Sequence, residues 1–123
     1  MRISIFIVSL SLLISCSGDK TTAELKLDTM QCLMCSINVE EAIVDLDGVK
    51  KIEVDLKSKS GKVIYKASLI DLNTIENAIT SIGYNVNGKV ADPVAYQKLE
   101  ICCKKPEDVN LDWKKLYFSH FLL

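Results

Sequence analysis

The chain has 123 residues, of which 49% are apolar, enough for one compact core and too few for two full domains. Its 15 basic and 16 acidic side chains nearly cancel, and the lysines are interspersed with acids, which argues against nucleic acid as a partner. Arg2 is the only arginine and His120 the only histidine, so bidentate guanidinium recognition and histidine-based hydrolysis have almost nothing to work with.

In chain order, Arg2 forms a short positive start and residues 3–14 an apolar run broken only by serines. That run is an export signal rather than a span, because about 20 apolar residues are needed to cross a bilayer. Leu13-Ile14-Ser15-Cys16 resembles a bacterial lipoprotein box. It implies removal of residues 1–15, lipidation of Cys16, and a tether over 16–23 that holds the domain in the periplasm or at the cell surface.

Apolar and polar residues alternate over 23–28, predicting a first strand. Val39, Ala42, Ile43 and Leu46 then recur at helical spacing until Gly48. Ile52, Val54 and Leu56 alternate with charges in a second strand, a polar turn over 57–61 follows, and residues 62–67 form a third strand paired as a hairpin. Asp71 caps a second helix marked by Leu72, Ile75, Ile79 and Ile82 and ended by Gly83. Residues 84–90 can form a short fourth strand. Asp92-Pro93 opens a last short helix through Leu99. The order β-α-β-β-α-β predicts an α+β, ferredoxin-like sandwich over 24–91, with a short helical extension over 92–123.

The chemistry lies in the cysteines. Apart from Cys16 they form two tight pairs, Cys32 with Cys35 and Cys102 with Cys103. Such spacings close almost no loop, so a structural disulfide would gain little, and a metal or redox role suits them better. Cys32 and Cys35 fall where the first strand meets the first helix, and a helix N-terminus favours thiolate over thiol. Two thiolates there offer a soft metal low-coordinate sulfur ligation and leave it open to a further thiolate from a partner.

Met30, Cys32, Cys35, the helix behind them, Asp47-Gly48-Val49 and Gly83-Tyr84 together resemble the heavy-metal-associated domains of copper chaperones, metal-transporting ATPases and periplasmic mercury-binding proteins. The resemblance implies that Cys32 and Cys35 are the metal ligands, that Met30 packs under the loop and that Tyr84 lies beside the site. It implies a non-enzymatic carrier that passes its metal to a partner thiolate. Copper(I) is the first candidate, mercury(II) the second, and silver(I), zinc and cadmium accept the same ligands. The partners implied are a membrane, through the anchor, and a metal-transporting membrane protein, with the carrier a monomer or a metal-bridged dimer. The chain departs from the family at Asp28-Thr29, where a glycine usually precedes the methionine.

A thiol-disulfide oxidoreductase would use the same pair, but no tryptophan, glycine or proline flanks it here. An adaptor that uses the fold only as a binding surface is the other rival. Met34 reads as solvent-facing. For Cys102 and Cys103 three roles are open: auxiliary ligands folding back to the first site, a separate acquisition site on a mobile tail, or an adjacent disulfide. The apolar stretch over 109–123, with Trp113 and His120, is expected to dock on the domain, lie on the membrane or touch a partner.

Overall fold

The computed structural model describes residues 18–109. Cys16, the stretch expected to be a leader, and the chain beyond 109, including Trp113 and His120, lie outside the described residues. The elements run β1 (Thr21–Lys26), α1 (Leu33–Val44), β2 (Val49–Asp55), β3 (Ser60–Tyr65), α2 (Leu72–Ser81) and α3 (Pro93–Gln97), followed by single 3₁₀ turns at Ile101–Cys103 and Pro106–Asp108. The strands form one antiparallel sheet in the order β1-β3-β2.

The sheet is two-faced because its strands alternate. Register places Ala23, Val63 and Ile52 in one row, with Glu24, Lys62 and Glu53 in the next. The first row joins the apolar core. The second is exposed, with opposite charges on neighbouring strands that add a few tenths of a kcal/mol per pair, up to about 1. Helix α1 lays Cys35, Val39 and Ile43, four residues apart, against the core, and α2 lays Ile75 and Ile79 beside them. Each such aliphatic side chain contributes about 1.5–3 kcal/mol on full burial. The α2 N-cap forms as its sequence predicts, with Asp71 Oδ1 accepting from the Thr74 N–H at 2.7 Å.

Two boundaries differ from expectation. Strand β1 begins at Thr21, inside the stretch expected to be tether, and Asp19 is fastened by accepting hydrogen bonds from the Ser68 N–H and hydroxyl. The fourth strand expected over 84–90 is cut to one bridge between Val86 and Lys89. Asn87 and Gly88 have φ of 49° and 81°, and positive φ at both central positions reverses the chain as a tight hairpin turn. Asn87 still pairs with the edge of β1. Its N–H donates to the Lys26 carbonyl at 2.9 Å and its Oδ1 accepts from the Lys26 N–H at 2.8 Å.

The described part of the extension, residues 92–109, is docked on the domain. The Asp92 N–H donates to the Thr80 carbonyl at 2.9 Å, and Asp92 Oδ1 caps α3 by accepting from Val94 and Ala95. Gly83 makes the close approach feasible. Its φ is +102°, and a Cβ there would stand 2.9 Å from the Tyr96 nitrogen.

Candidate metal centre

Cys32 is the N-cap of α1, with extended backbone (φ −149°, ψ 171°). Its carbonyl accepts from the N–H groups of Cys35 at 3.0 Å and Ser36 at 3.4 Å, so the helix starts at Leu33, before the position that periodicity alone suggests. Ser36 Oγ donates to the Leu33 carbonyl at 2.7 Å and closes this first turn. The Cys35 side chain is fully buried at the end of the core and Cys32 is half-buried above it, their Sγ atoms 3.3 Å apart.

The second pair comes to the first. The turn at Ile101–Cys103 buries Cys103 and leaves Cys102 exposed. Cys103 Sγ lies 2.8 Å from Cys35 Sγ and 3.7 Å from Cys32 Sγ, and Cys102 Sγ is 3.3 Å from Cys32 Sγ. All four are free thiols. Cys102 and Cys103 are 4.0 Å apart, so they are not joined as an adjacent disulfide here. Of the three roles open to this pair, the geometry is that of folding back to the first site. The sulfurs of Cys32, Cys102 and Cys103 fall within 4.8 Å of one another, a spacing from which one ion can be held.

Charge is unevenly shared in the cluster. Burial opposes ionisation of Cys32, but the Cys35 backbone N–H and the neighbouring thiols outweigh it and bring its pKa down to about 7. Burial pushes the Cys103 thiol well up, reinforced by its bond to Cys35, and Cys102 is raised by its bond to Cys32. Near neutral pH Cys32 is therefore the readier thiolate than Cys102 or Cys103, and a soft cation meets it there first.

The remaining sequence-predicted residues fall around this cluster. Met30 is buried in the core just before the cysteine loop. Tyr84 is buried, accepts from Asn38 Nδ2 at 3.1 Å, and is driven further from ionising by burial and by contact with Cys103. Met34 is half exposed. Asn38 escaped the sequence reading, and Thr29 entered it only as a departure from the family. Asn38 stands three residues after Cys35 on α1, the spacing that shares a helix face, and that was the signal available. Thr29, at the family's usual glycine, is buried and its Oγ1 accepts from the Asn85 N–H at 3.0 Å, tying the approach to the loop to the segment after α2.

Known proteins place the chain in a family. Residues 24–85 match the heavy-metal-associated domain family. The periplasmic component of the mercuric transport protein of Shewanella putrefaciens is 35% identical over 63 residues, spanning 51% of this chain and 69% of that one. Human copper-transporting ATPase 2 is 36% identical over 61 residues, 50% of this chain but only 4% of the ATPase. The crystal structure of oxidised MerP from Ralstonia metallidurans CH34 superposes with a TM-score of 0.53 at 25% identity, covering 59% of this chain and 99% of that one. Each of these matches takes in half of the chain or more, and the match to the family runs across the cysteine loop, both long helices and Tyr84: the chain belongs to the heavy-metal-associated domain family.

Proposed function

We propose that this protein is a carrier of a soft, thiol-seeking metal ion, copper(I) first and mercury(II) second, held by Cys32 and Cys35. The observation that carries the reading is the sulfur cluster itself: a low-pKa Cys32 beside a buried Cys35 at the first turn of a helix. Soft thiolates select such ions over magnesium or calcium. Family membership and the mercuric and copper transport relatives support the same cargo.

Delivery is by ligand exchange, one metal–sulfur bond forming to an incoming thiolate as another breaks. Leu33, Met34 and Ile101 are exposed apolar side chains next in the chain to Cys32, Cys35 and Cys102 respectively, and they give a metal-transporting membrane protein an apolar rim to meet. The carrier is non-enzymatic. It acts outside the cytoplasm, tethered through a lipidated Cys16, which raises its effective concentration at a membrane partner. The domain proper takes in residues 24–91, and the extension from 92 onward brings the second cysteine pair to it.

Copper(I) competition with a chromogenic chelator tests this reading. C32S/C35S should bind at least about a thousandfold more weakly than the intact protein, a loss on the order of 4 kcal/mol. Undiminished binding in that variant overturns it, and efficient catalysis of insulin reduction by the metal-free protein would favour a thiol-disulfide oxidoreductase instead.

A further inference from the structure

We propose that Cys102 and Cys103 complete a single closed, all-sulfur site with Cys32 and Cys35, which takes a divalent soft ion, zinc or cadmium, in tetrahedral coordination and releases it first from Cys102. This rests on the carrier reading and deepens it, because it names a second class of cargo and the ligand that gates its exit.

The sulfur separations carry the argument. At a metal–sulfur bond of about 2.3 Å, two sulfurs on opposite sides of a metal stand about 4.6 Å apart, whereas the edge of a tetrahedron is about 3.8 Å. Cys32 and Cys35 at 3.3 Å are too close for the linear arrangement. The other close separations run from 2.8 to 4.0 Å, at or short of the tetrahedral edge. Cys35 alone stands outside the group of Cys32, Cys102 and Cys103, whose sulfurs all lie within 4.8 Å of one another, so closing the site on an ion draws the exposed Cys102 toward Cys35. Tetrahedral sulfur ligation is the preference of zinc and its heavier congeners.

The extension is built to deliver these thiols. Asp92 hydrogen-bonds to Thr80, α3 packs against Gly83, and the Tyr96 hydroxyl donates to Asp108 Oδ2 at 2.7 Å while accepting from the Lys105 N–H at 2.9 Å. That last pair of bonds closes the chain on both sides of the Ile101–Cys103 turn. Cys103 is 1% exposed and belongs to the core cluster, so it is a fixed wall of the site. Cys102 is exposed and meets the cluster chiefly through Cys32. An incoming thiolate therefore displaces Cys102 most readily: one metal–sulfur bond forms as the Cys102 bond breaks, the freed thiolate takes up a proton from water, and the metal keeps its charge.

Loading the reduced protein with cadmium(II) alone and counting sulfur neighbours by X-ray absorption tests the proposal. Four sulfurs are expected in the intact protein, three in C102S, whose substituted residue is exposed, and two in C102S/C103S. Cadmium should also raise the melting temperature of the intact protein more than that of C102S. Two sulfurs in the intact protein, the same as in C102S/C103S, with equal melting shifts, would overturn the four-thiolate site while leaving copper(I) carriage by Cys32 and Cys35 standing. Copper(I) binding unchanged in C32S/C35S would instead remove the carrier reading, and this inference with it.

Discussion

The two cysteine pairs are held by different parts of the molecule in different ways. Cys32 and Cys35 ride on α1, whose inner face is continuous with the core through Val39 and Ile43. Cys102 and Cys103 ride on an extension whose helix α3 buries no residue and is held by capping, by Gly83 and by a few hydrogen bonds. The first pair is therefore as rigid as the fold, whereas in the second Cys103 is anchored in the core and the exposed Cys102 is the one placed to leave. A carrier needs both properties, a fixed seat for the metal and a ligand that lets go.

Breaking the seat should cost most. Met30 is 1% exposed and sits in the core just before the cysteine loop, so Met30→Ala should lower global stability by about 2–4 kcal/mol, read by urea unfolding. It should disturb both cysteine pairs together.

Gly83→Ala acts on the delivery arm. The new Cβ would meet Tyr96 and Ala95 backbone atoms at 2.9–3.0 Å, with φ at +102°, a strain of about 1–3 kcal/mol. The extension should lift away. Faster alkylation of Cys102 and Cys103 with Cys35 still protected, followed by peptide mapping, is the expected result. Equal exposure of all four thiols would show that the two regions are not independent.

The smallest effect sharpens the boundary between them. The Glu76 carboxylate is 8% exposed and accepts from Asn87 Nδ2 at 2.8 Å and from Lys89 Nζ at 2.6 Å, so it ties α2 to the Asn87-Gly88 turn. The Asn87 bond and then Lys89 hold its carboxyl below the usual glutamate range. A depressed folded-state pKa stabilises the fold above the unfolded value, about 4.3, and that stabilisation fades as pH falls through the folded value. Glu76→Gln should therefore cost about 1 kcal/mol at pH 7. The gap from the unaltered protein should narrow as pH falls below the unfolded value and close as the folded-state carboxyl protonates, as denaturant melts across pH would show, with thiol reactivity the same in both proteins at each pH.

Much of this was legible in the residues. The alternation of Leu25 with Glu24 and Lys26, the stripe through Ile75 and Ile79, and the Asp71 and Asp92 caps each state a local rule, and the structure obeys them. The fourth strand failed because Asn87-Gly88, a turn signal in its own right, overrode weak alternation on either side. Helix α1 began earlier than its apolar period suggests because the Cys32 carbonyl, not a hydrophobic residue, opens it. Cys32 and Cys35 were legible through their spacing at a helix start. The convergence of Cys102 and Cys103 on them was not, since it depends on a 70-residue separation closed by Gly83 and α3, and no local pattern encodes a long-range contact.

Metal stoichiometry measured by native mass spectrometry on the cadmium-loaded, reduced protein tests most directly whether four thiols make one site. One ion per chain, with all four cysteines shielded from alkylation, is the result this account predicts. Two ions per chain, or one ion with Cys102 and Cys103 fully reactive, would contradict it.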